Sequence, residues 1–174
     1  MAAMPVLAIE PRGCTLEDEI VELFDLLQEP LLRYLASLGL PMADGEEIVQ
    51  EVFLSLFQHL RRSGDRTNLR GWIFRVAHNL GLKRRSRISR LPTVAWEWLC
   101  DPAPSPEEQF FNSETERRVR AVLRALPEQD RRCLMLRAEG LRYREIAGTL
   151  AMSLGAVSVS LARSLARMAR ATDR

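Results

Sequence analysis

The sequence has few of the residues from which catalytic and metal sites are built. Its 174 residues include only three cysteines and two histidines. Cys14, Cys100 and Cys133 are odd in number, lie far apart and have no histidine at a ligand-like spacing, which argues against a disulfide framework and a zinc site. His59 and His78 have no evident nucleophile or metal-ligating partner, and no glycine-rich phosphate loop occurs. We therefore predict no catalytic site, no metal site and no cofactor.

A long apolar run and a signal peptide are also missing. No stretch of about 18 apolar residues occurs, and residues 1–9 lack a basic start and are interrupted by Pro5. These absences predict a soluble, cytoplasmic protein without membrane insertion. With 47% hydrophobic residues, the chain still has enough apolar side chains for a folded core.

The charged residues are unevenly distributed, although the net charge is only +2. Residues 10–58 carry a net charge of −9 and residues 61–90 a net charge of +9. Residues 91–116 contain six acids and no base, and residues 117–174 carry a net charge of +8. Two basic segments separated by an acidic one are expected of a protein that contacts a polyanion twice. A solvated surface of mixed charge is the alternative.

The last third of the chain has the pattern of three consecutive helices with a tight turn before the last. Pro127 suits the first position of a helix and Gly140 its C-terminal stop, which predicts a helix over about 127–139. A second, short helix begins near Tyr143, and the Ser153 hydroxyl can cap a third. On the third helix, apolar residues repeat at helical spacing: Val157, Leu161, Leu165 and Met168. This pattern is typical of a DNA-binding helix-turn-helix, although an ordinary helical hairpin has the same spacing.

The first half of the chain predicts further helices. Apolar residues at 20, 23, 24 and 27 indicate a first helix, which Pro30 interrupts, so we expect a broken helical pair ending near Gly39. Asp44 can cap the next helix, with Glu47 in the reciprocal position of a capping box. The buried side of that helix is predicted to be Ile48, Val49, Val52, Phe53, Leu56, Phe57 and Leu60.

A polar segment, 61–68, precedes another helix, which Asn68 can cap. Trp72 belongs to the apolar stripe of this helix, and an aromatic side chain in that position is expected in the core. The other members of the stripe are Ile73, Val76, Ala77 and Leu80.

These patterns predict an all-α fold. We expect two small helical domains, over 15–90 and 116–174, the second a helix-turn-helix. A tail over 1–14 precedes them, and a proline-rich acidic linker over 91–115 joins them. Three large apolar residues of the linker are expected to cover a surface: Trp96, Trp98 and Leu99.

The C-terminal segment resembles the C-terminal domain of bacterial sigma factors of the extracytoplasmic function (ECF) class, in the sigma-70 family. The residues that carry this resemblance include Leu126, Pro127, Leu134 to Arg137, Glu139, Gly140, Leu141, Tyr143, Glu145, Ile146, Ala147, Leu150, Ser153, Gly155, Val157, Leu161, Arg163, Leu165, Ala166 and Arg167. Two earlier segments resemble the N-terminal domain of the same class: DGEEIVQEVFLSLF at 44–57 and NLRGWIFRVAHNLGLKRRSR at 68–87. Together the resemblance covers residues 17–90 and 114–171.

The resemblance implies a non-enzymatic protein that binds core RNA polymerase and directs it to promoters. The partners it implies are the coiled coil of the largest polymerase subunit, the flap of the second-largest subunit, and promoter DNA. An anti-sigma factor is a further partner that the resemblance allows for. The residues implied to face the polymerase, or to support that face, are Glu47, Gln50, Glu51 and Phe53.

The segment at 68–87 resembles the part of a sigma factor that opens the duplex and reads the minus-10 element on the non-template strand. Extruding a base costs a few kcal/mol, so a polar pocket and a cationic path for the freed strand are physically reasonable. The resemblance assigns the pocket to the loop residues Ser63, Gly64, Asp65, Arg66, Thr67 and Asn68, and to Asn79. It assigns the rest of the minus-10 contact, with the cationic path, to Arg75, Lys83, Arg84, Arg85 and Arg87.

The minus-35 contact is assigned to the helix-turn-helix. Recognition helices of this class often carry Lys or Arg in their first two turns, whereas Arg163 is the first cation here. Serine hydroxyls such as Ser158 and Ser160 are ambiguous base readers, so we predict recognition through phosphates and shape. The residues expected at this contact are Arg142, Arg144, Ser153, Gly155, Ala156, Ser158, Ser160, Arg163 and Arg167.

Two other functions are compatible with parts of the sequence. A helix-turn-helix regulator that binds DNA without polymerase would share the C-terminal pattern, which many response regulators carry. It would not account for an acidic helix at 44–60 followed by a basic one at 69–87. A helical adaptor without a DNA role is the third possibility, and it would bind polymerase without changing where transcription starts.

Overall fold

The computed structural model describes residues 15–62, 64–88 and 114–172, and over these ranges it is helical without strands. The predicted tail over 1–14, Ser63 and the linker up to residue 113, with Trp96, Trp98 and Leu99, lie outside the described residues. The all-α prediction is confirmed. The helices are α1 Leu16–Ser37, α2 Met42–Arg61, α3 Leu69–Ile88, α4 Glu114–Ala125, α5 Glu128–Ala138, α6 Tyr143–Leu150 and α7 Leu154–Thr172.

Helix α1 is continuous, and the predicted break at Pro30 is wrong. It begins with a capping box in which the Thr15 hydroxyl accepts a bond from the Asp18 amide, while the Asp18 carboxylate accepts one from the Thr15 amide. Proline removes one backbone hydrogen bond from a helix interior. The helix continues through it because the residues on either side lie on one buried stripe: Leu27, Leu31, Tyr34 and Leu35.

The N-cap position of α2 is Pro41, three residues before the predicted cap Asp44, and it provides no side-chain cap. Asp44 therefore lies inside the first turn, and the predicted capping box with Glu47 does not form. Both carboxylates instead accept hydrogen bonds from Arg84 of α3. The predicted buried side is confirmed, except that Phe57 is only half-buried.

Helix α3 begins as predicted, because the Asn68 side chain accepts a hydrogen bond from the Gly71 amide at 3.0 Å. Ile73 and Ala77 are fully buried, whereas Trp72 is half-buried. The sequence pattern did not predict the burial of His78, which is 4% exposed and bonds through Nδ1 to the Tyr34 hydroxyl at 2.8 Å.

The C-terminal helices form the predicted helix-turn-helix. The chain bends by 106° between α6 and α7, within the range of this motif. Ser153 caps α7 by accepting a bond from the Ala156 amide at 3.1 Å. Val157 and Leu161 are buried as predicted, but Leu165 is 54% exposed. The buried side of α7 instead includes Ser160 and Ser164, and α7 packs against both α4 and α5.

The N-terminal helices α1–α3 pack directly against the C-terminal helices. The main contacts are between α3 and α6 and between α1 and α5. Buried apolar side chains from both halves belong to one cluster. Consequently, surfaces predicted to act separately lie close together in this structure.

No single helix within the described ranges is long and apolar enough to cross a membrane. Helices α6 and α7 reach that length and composition only as a bent pair.

Candidate functional site

The acidic face of α2 is exposed along one side of the helix. Gln50 and Glu51 are exposed, whereas Phe53 is 5% exposed and packs edge to face on Phe24, with ring centroids 5.0 Å apart. Phe53 can therefore support this face from below but cannot itself contact a partner. Glu47 is exposed and forms an ion pair with Arg84 at 2.9 Å.

Leu54 is an additional member of this face that the sequence analysis missed. It is 59% exposed and follows Gln50 by four residues, so the two side chains share one side of the helix. Its position off the predicted buried stripe was the available signal. A single exposed leucine is common on protein surfaces, so Leu54 does not by itself indicate a partner.

The loop before α3 is shaped by local hydrogen bonds. The Asp65 carboxylate accepts bonds from the Thr67 amide at 2.9 Å and from the Thr67 hydroxyl at 2.8 Å. These bonds, led by the backbone amide, lower the pKa of Asp65. Arg66 forms an ion pair with Glu19 of α1, which ties the loop to the first helix.

An aromatic stack lies beside this loop. The rings of His59 and Trp72 are nearly parallel, with centroids 4.9 Å apart, and His59 Nε2 lies 3.4 Å from the Asp65 carbonyl oxygen. Trp72 is therefore partly a core residue and partly a wall of the loop pocket.

The basic end of α3 contains two kinds of cations. Lys83 and Arg87 are exposed. Arg84 is half-buried between Asp44 and Glu47, and Arg85 forms an ion pair with Glu128 of α5. All four cations were predicted to belong to the minus-10 contact. In this structure they are not equivalent, because Arg84 and Arg85 already form ion pairs with carboxylates.

A cleft of about 390 Å³ separates the loop and α3 from α6. Arg75 lies on one wall of the cleft, and Arg144 and Thr149 lie on the other. The structure thus brings Arg75, which was predicted to contact the minus-10 element, next to Arg144, which was predicted to contact the minus-35 element. The remaining lining residues are His59, Asp65, Asn68, Gly71, Trp72, Glu145 and Gly148.

The helix-turn-helix exposes most of its predicted DNA-facing residues, with one exception. Ser160 is 2% exposed, and its hydroxyl donates to the Asp130 carboxylate at 2.8 Å. A hydroxyl buried in this way cannot read a base, so the prediction for Ser160 is wrong. The exposed members are Arg142, Arg144, Ser153, Gly155, Ala156, Ser158, Arg163 and Arg167.

Asp130, which the sequence analysis did not single out, also holds Arg163. Its carboxylate accepts bonds from Arg163 Nε at 3.0 Å and Nη2 at 2.8 Å. Burial raises the pKa of Asp130, but the hydrogen bonds from Arg163 and Ser160 outweigh it, and the net pKa is below the usual value. Arg163 is therefore oriented and partly neutralised by a residue of its own chain.

The outward side of α7 is less basic than expected of a recognition helix. Leu154 and Val159 are 48% and 62% exposed.

Cys133 of α5 is buried. Its Sγ lies 3.6 Å from the Met152 sulfur, and burial raises the pKa of the thiol. Across the described part of the chain, no group of three or more His, Cys, Asp or Glu could hold a metal ion.

Two family models match the chain. The model for sigma-70 region 2 matches residues 23–91, and the model for sigma-70 region 4 matches residues 116–168. The first therefore covers the acidic helix, the loop and α3, and the second covers the helix-turn-helix.

Curated relatives match at moderate identity. The chain is 32% identical over 132 residues to the probable RNA polymerase sigma factor RfaY of Xanthomonas campestris pv. campestris, covering 72% of this chain and 33% of RfaY. It is 34% identical over 120 residues to the ECF RNA polymerase sigma factor SigE of Mycolicibacterium smegmatis, covering 66% of this chain and 46% of SigE. The chain thus spans less than half the length of either relative.

The fold is similar to that of a solved sigma factor. RpoE from Bartonella quintana, crystallised with the anti-sigma factor NepR, superposes with a TM-score of 0.64 at 19% identity. The match covers 90% of this chain and 98% of that chain. At this identity the likeness shows the fold alone.

Proposed function

This chain belongs to the sigma-70 family, as a sigma factor of the ECF class, and on that premise we propose that it binds core RNA polymerase and directs it to specific promoters. The observation that carries this proposal is that both family regions match one chain, in order. A regulator acting without polymerase would need only the second region. The proposed function depends on binding alone and requires no catalytic residue.

The proposed polymerase contact is the exposed face of α2. Gln50, Glu51 and Leu54 provide an amide, a carboxylate and an apolar group, in that order, on one side of the helix. Such a mixture suits a protein interface with a basic partner surface. By the family resemblance, that partner is the coiled coil of the largest polymerase subunit, with the flap of the second-largest subunit contacted elsewhere.

The proposed minus-10 contact combines the loop at 64–68 with the exposed polar side of α3. Asp65 and Asn68 supply hydrogen-bonding groups beside the stacked rings of His59 and Trp72, and a polar pocket of this kind can receive an extruded base. Arg75, Asn79, Lys83 and Arg87 then form the exposed path for the displaced strand.

The proposed minus-35 contact is the exposed side of α6 and α7. Cations at its edges, Arg142, Arg144 and Arg167, suit phosphates rather than base edges. The N-terminus of α7, capped by Ser153, can also meet a phosphate. An anti-sigma factor belongs among the proposed partners, because the structural relative RpoE was solved bound to one. The proposed site of action is the cytoplasm, where the polymerase works.

Co-elution with purified core polymerase tests the first step. Glu51→Lys reverses a charge at the centre of the proposed face without touching the core, so co-elution should fall while circular dichroism is unchanged. Glu22→Lys, an exposed acid on α1, is the matched control and should co-elute like the parent. Equal co-elution of all three proteins would remove α2 from the polymerase interface.

A further inference from the structure

His59, in the last turn of α2, belongs neither to the acidic face nor to the residues predicted to contact the minus-10 element, yet it lies against the loop at 64–68. Its side chain is half-buried. Its carbonyl oxygen accepts a hydrogen bond from the Arg62 amide at 3.2 Å and another from the Gly64 amide at 3.0 Å. The beginning of the loop is therefore attached to the end of α2 through the backbone of His59.

The His59 ring also fills the space beside Gly64. A methyl group added to Gly64 would overlap the imidazole, with Nε2 as the nearest atom. Gly64 does not have a positive φ, so its backbone conformation is open to other residues. Glycine is required here because the backbone of the loop approaches the ring so closely.

The same ring is stacked on Trp72 of α3. The two ring planes are inclined by 22°, and their centroids are 4.9 Å apart. The His59 Nε2 atom lies 3.4 Å from the Asp65 carbonyl oxygen, which is near the outer limit of a hydrogen bond. A stacked aromatic pair is stabilised beyond the area that it buries. The stack on Trp72 is therefore expected to hold the imidazole more firmly than the long contact to Asp65 does.

The later residues of the loop are held by other contacts. Arg66 forms an ion pair with Glu19 of α1. The Asn68 side chain accepts a hydrogen bond from the Gly71 amide at 3.0 Å, which fixes the end of the loop on α3. His59 supplies the corresponding attachment at the beginning of the loop. The loop is thus held at both ends, by contacts to three helices.

A loop that is already fixed binds an extruded base more tightly than a mobile loop with the same side chains. Ordering a mobile segment at the moment of binding costs conformational entropy, and this cost is subtracted from the affinity. Extruding the base has its own cost in unstacking and unpairing. A contact that fixes the loop beforehand therefore contributes to base capture without touching the base.

We propose that His59 is a positioning residue for the minus-10 contact. Its ring, stacked on Trp72 and packed against Gly64, holds the loop at 64–68 in the shape that receives an extruded base. The proposal rests on the proposed function for the use of the pocket, whereas the order of the loop can be measured without polymerase or DNA. It assigns this role to the aromatic ring rather than to the hydrogen-bonding capacity of Nε2.

Amide hydrogen exchange of the full chain, followed by NMR, tests whether His59 orders the loop. The reporter is the Thr67 amide, which donates to the Asp65 carboxylate at 2.9 Å. His59→Ala should increase its exchange rate about tenfold, the factor expected when one anchoring contact is lost. Gly64→Ala should have the same effect, because its methyl group displaces the ring. His59→Phe keeps a stacking ring and should exchange like the parent, as should the matched control Gln58→Ala, an exposed neighbour.

Binding of the protein with core polymerase to a promoter fragment whose minus-10 segment is unpaired tests the link to base capture. Each non-template base of that segment is replaced in turn by an abasic site. The parent should lose about tenfold in affinity at the position of the captured base, since contacts to one base contribute a factor of that order. His59→Ala and Gly64→Ala should lose less than about threefold at that position and as much as the parent elsewhere. A general folding defect would weaken binding to every fragment and leave the tenfold ratio unchanged.

Exchange at the parent's rate in both His59→Ala and Gly64→Ala would overturn the proposal that the ring orders the loop. Fast exchange in His59→Phe would overturn the assignment of this role to the ring. Fast exchange in both alanine variants with an unchanged abasic ratio would overturn the link to base capture. Failure of the parent to bind any promoter with core polymerase would contradict the proposed function instead, and it would leave the exchange result unaffected.

Discussion

The Asp130 carboxylate of α5 accepts two hydrogen bonds from Arg163 of α7, one from Nε at 3.0 Å and one from Nη2 at 2.8 Å. The same carboxylate accepts a third bond from the Ser160 hydroxyl. One buried acid therefore fixes α7 on α5. It also removes Ser160 from the residues predicted to face DNA, and it restrains Arg163, which remains among them.

Arg163→Met should destabilise the protein, because it leaves the Asp130 carboxylate buried with fewer donors. Arg163 is half-exposed, so the expected loss in the free energy of unfolding is modest. Arg167→Met, on the exposed side of the same helix, should cost no more than about 0.5 kcal/mol. Urea unfolding of both variants measures the difference, and equal losses would mean that the Asp130 contact contributes nothing specific.

Stability should fall on acidification because of His78. Burial, with a smaller contribution from the charge of Arg132, lowers the pKa of His78 to about 4, whereas an unfolded histidine has a pKa of about 6.5. The unfolded state therefore binds more protons between these values. The contribution of His78 is complete above pH 6.5 and is lost as pH falls toward 4, by about 3 kcal/mol.

His78→Gln removes the titrating group and should flatten the dependence of the unfolding free energy on pH between 6.5 and 4. Its stability at pH 7 will also be lower, because the ring packs beside Tyr34 in the core. The informative quantity is therefore the slope against pH. A slope identical to that of the parent would show that His78 does not control acid stability.

Promoter binding should depend on Lys83 and Arg87 more than on the other two cations at the end of α3. Neutralising both with glutamine should reduce the slope of log affinity against log salt by about two, since each cation neutralises one phosphate. Arg84→Gln with Arg85→Gln should change the slope less, because these side chains already bind carboxylates. Permanganate footprinting should show less open complex for the first pair, and equal opening would indicate a merely solvated face.

Base discrimination should reside mainly in the minus-10 element. With Ser160 buried and Arg163 held by Asp130, Ser158 is the remaining hydroxyl of the predicted pair on the exposed side of α7. A single hydroxyl discriminates less than a bidentate side chain, which contributes about 1–3 kcal/mol. Transcription from promoters randomised in one element at a time measures this. Loss of most discrimination on randomising the upstream element, or on Ser158→Ala, would contradict the account of this helix.

Local features of the fold were predictable from the sequence because their causes are local. The Asn68 and Ser153 caps, the buried side of α2 and the turn before α7 each depend on residues within one or two helical turns. The continuity of α1 through Pro30 was not predictable in this way. It depends on Leu27, Leu31 and their neighbours packing against other helices, which the local rule for proline does not include.

The pairing of charges was the least predictable part of the candidate site. Arg84 and Arg85 look equivalent to Lys83 in the sequence, and only the packing of α3 against α2 and α5 separates them. The same holds for Glu139, whose partners Arg33 and Arg70 lie 106 and 69 residues away. A periodic pattern identifies which face of a helix is polar and solvent-exposed. It does not identify which charged residues of another helix will lie against that face.

Run-off transcription with core RNA polymerase from the same organism, on fragments of its genome, is the direct test of sigma activity. We expect discrete transcripts from a small subset of fragments when the protein is added, none with core polymerase alone, and a marked reduction with Glu51→Lys. If the protein binds fragments but the transcripts are the same as those of core polymerase alone, the chain acts as a DNA-binding protein without sigma activity.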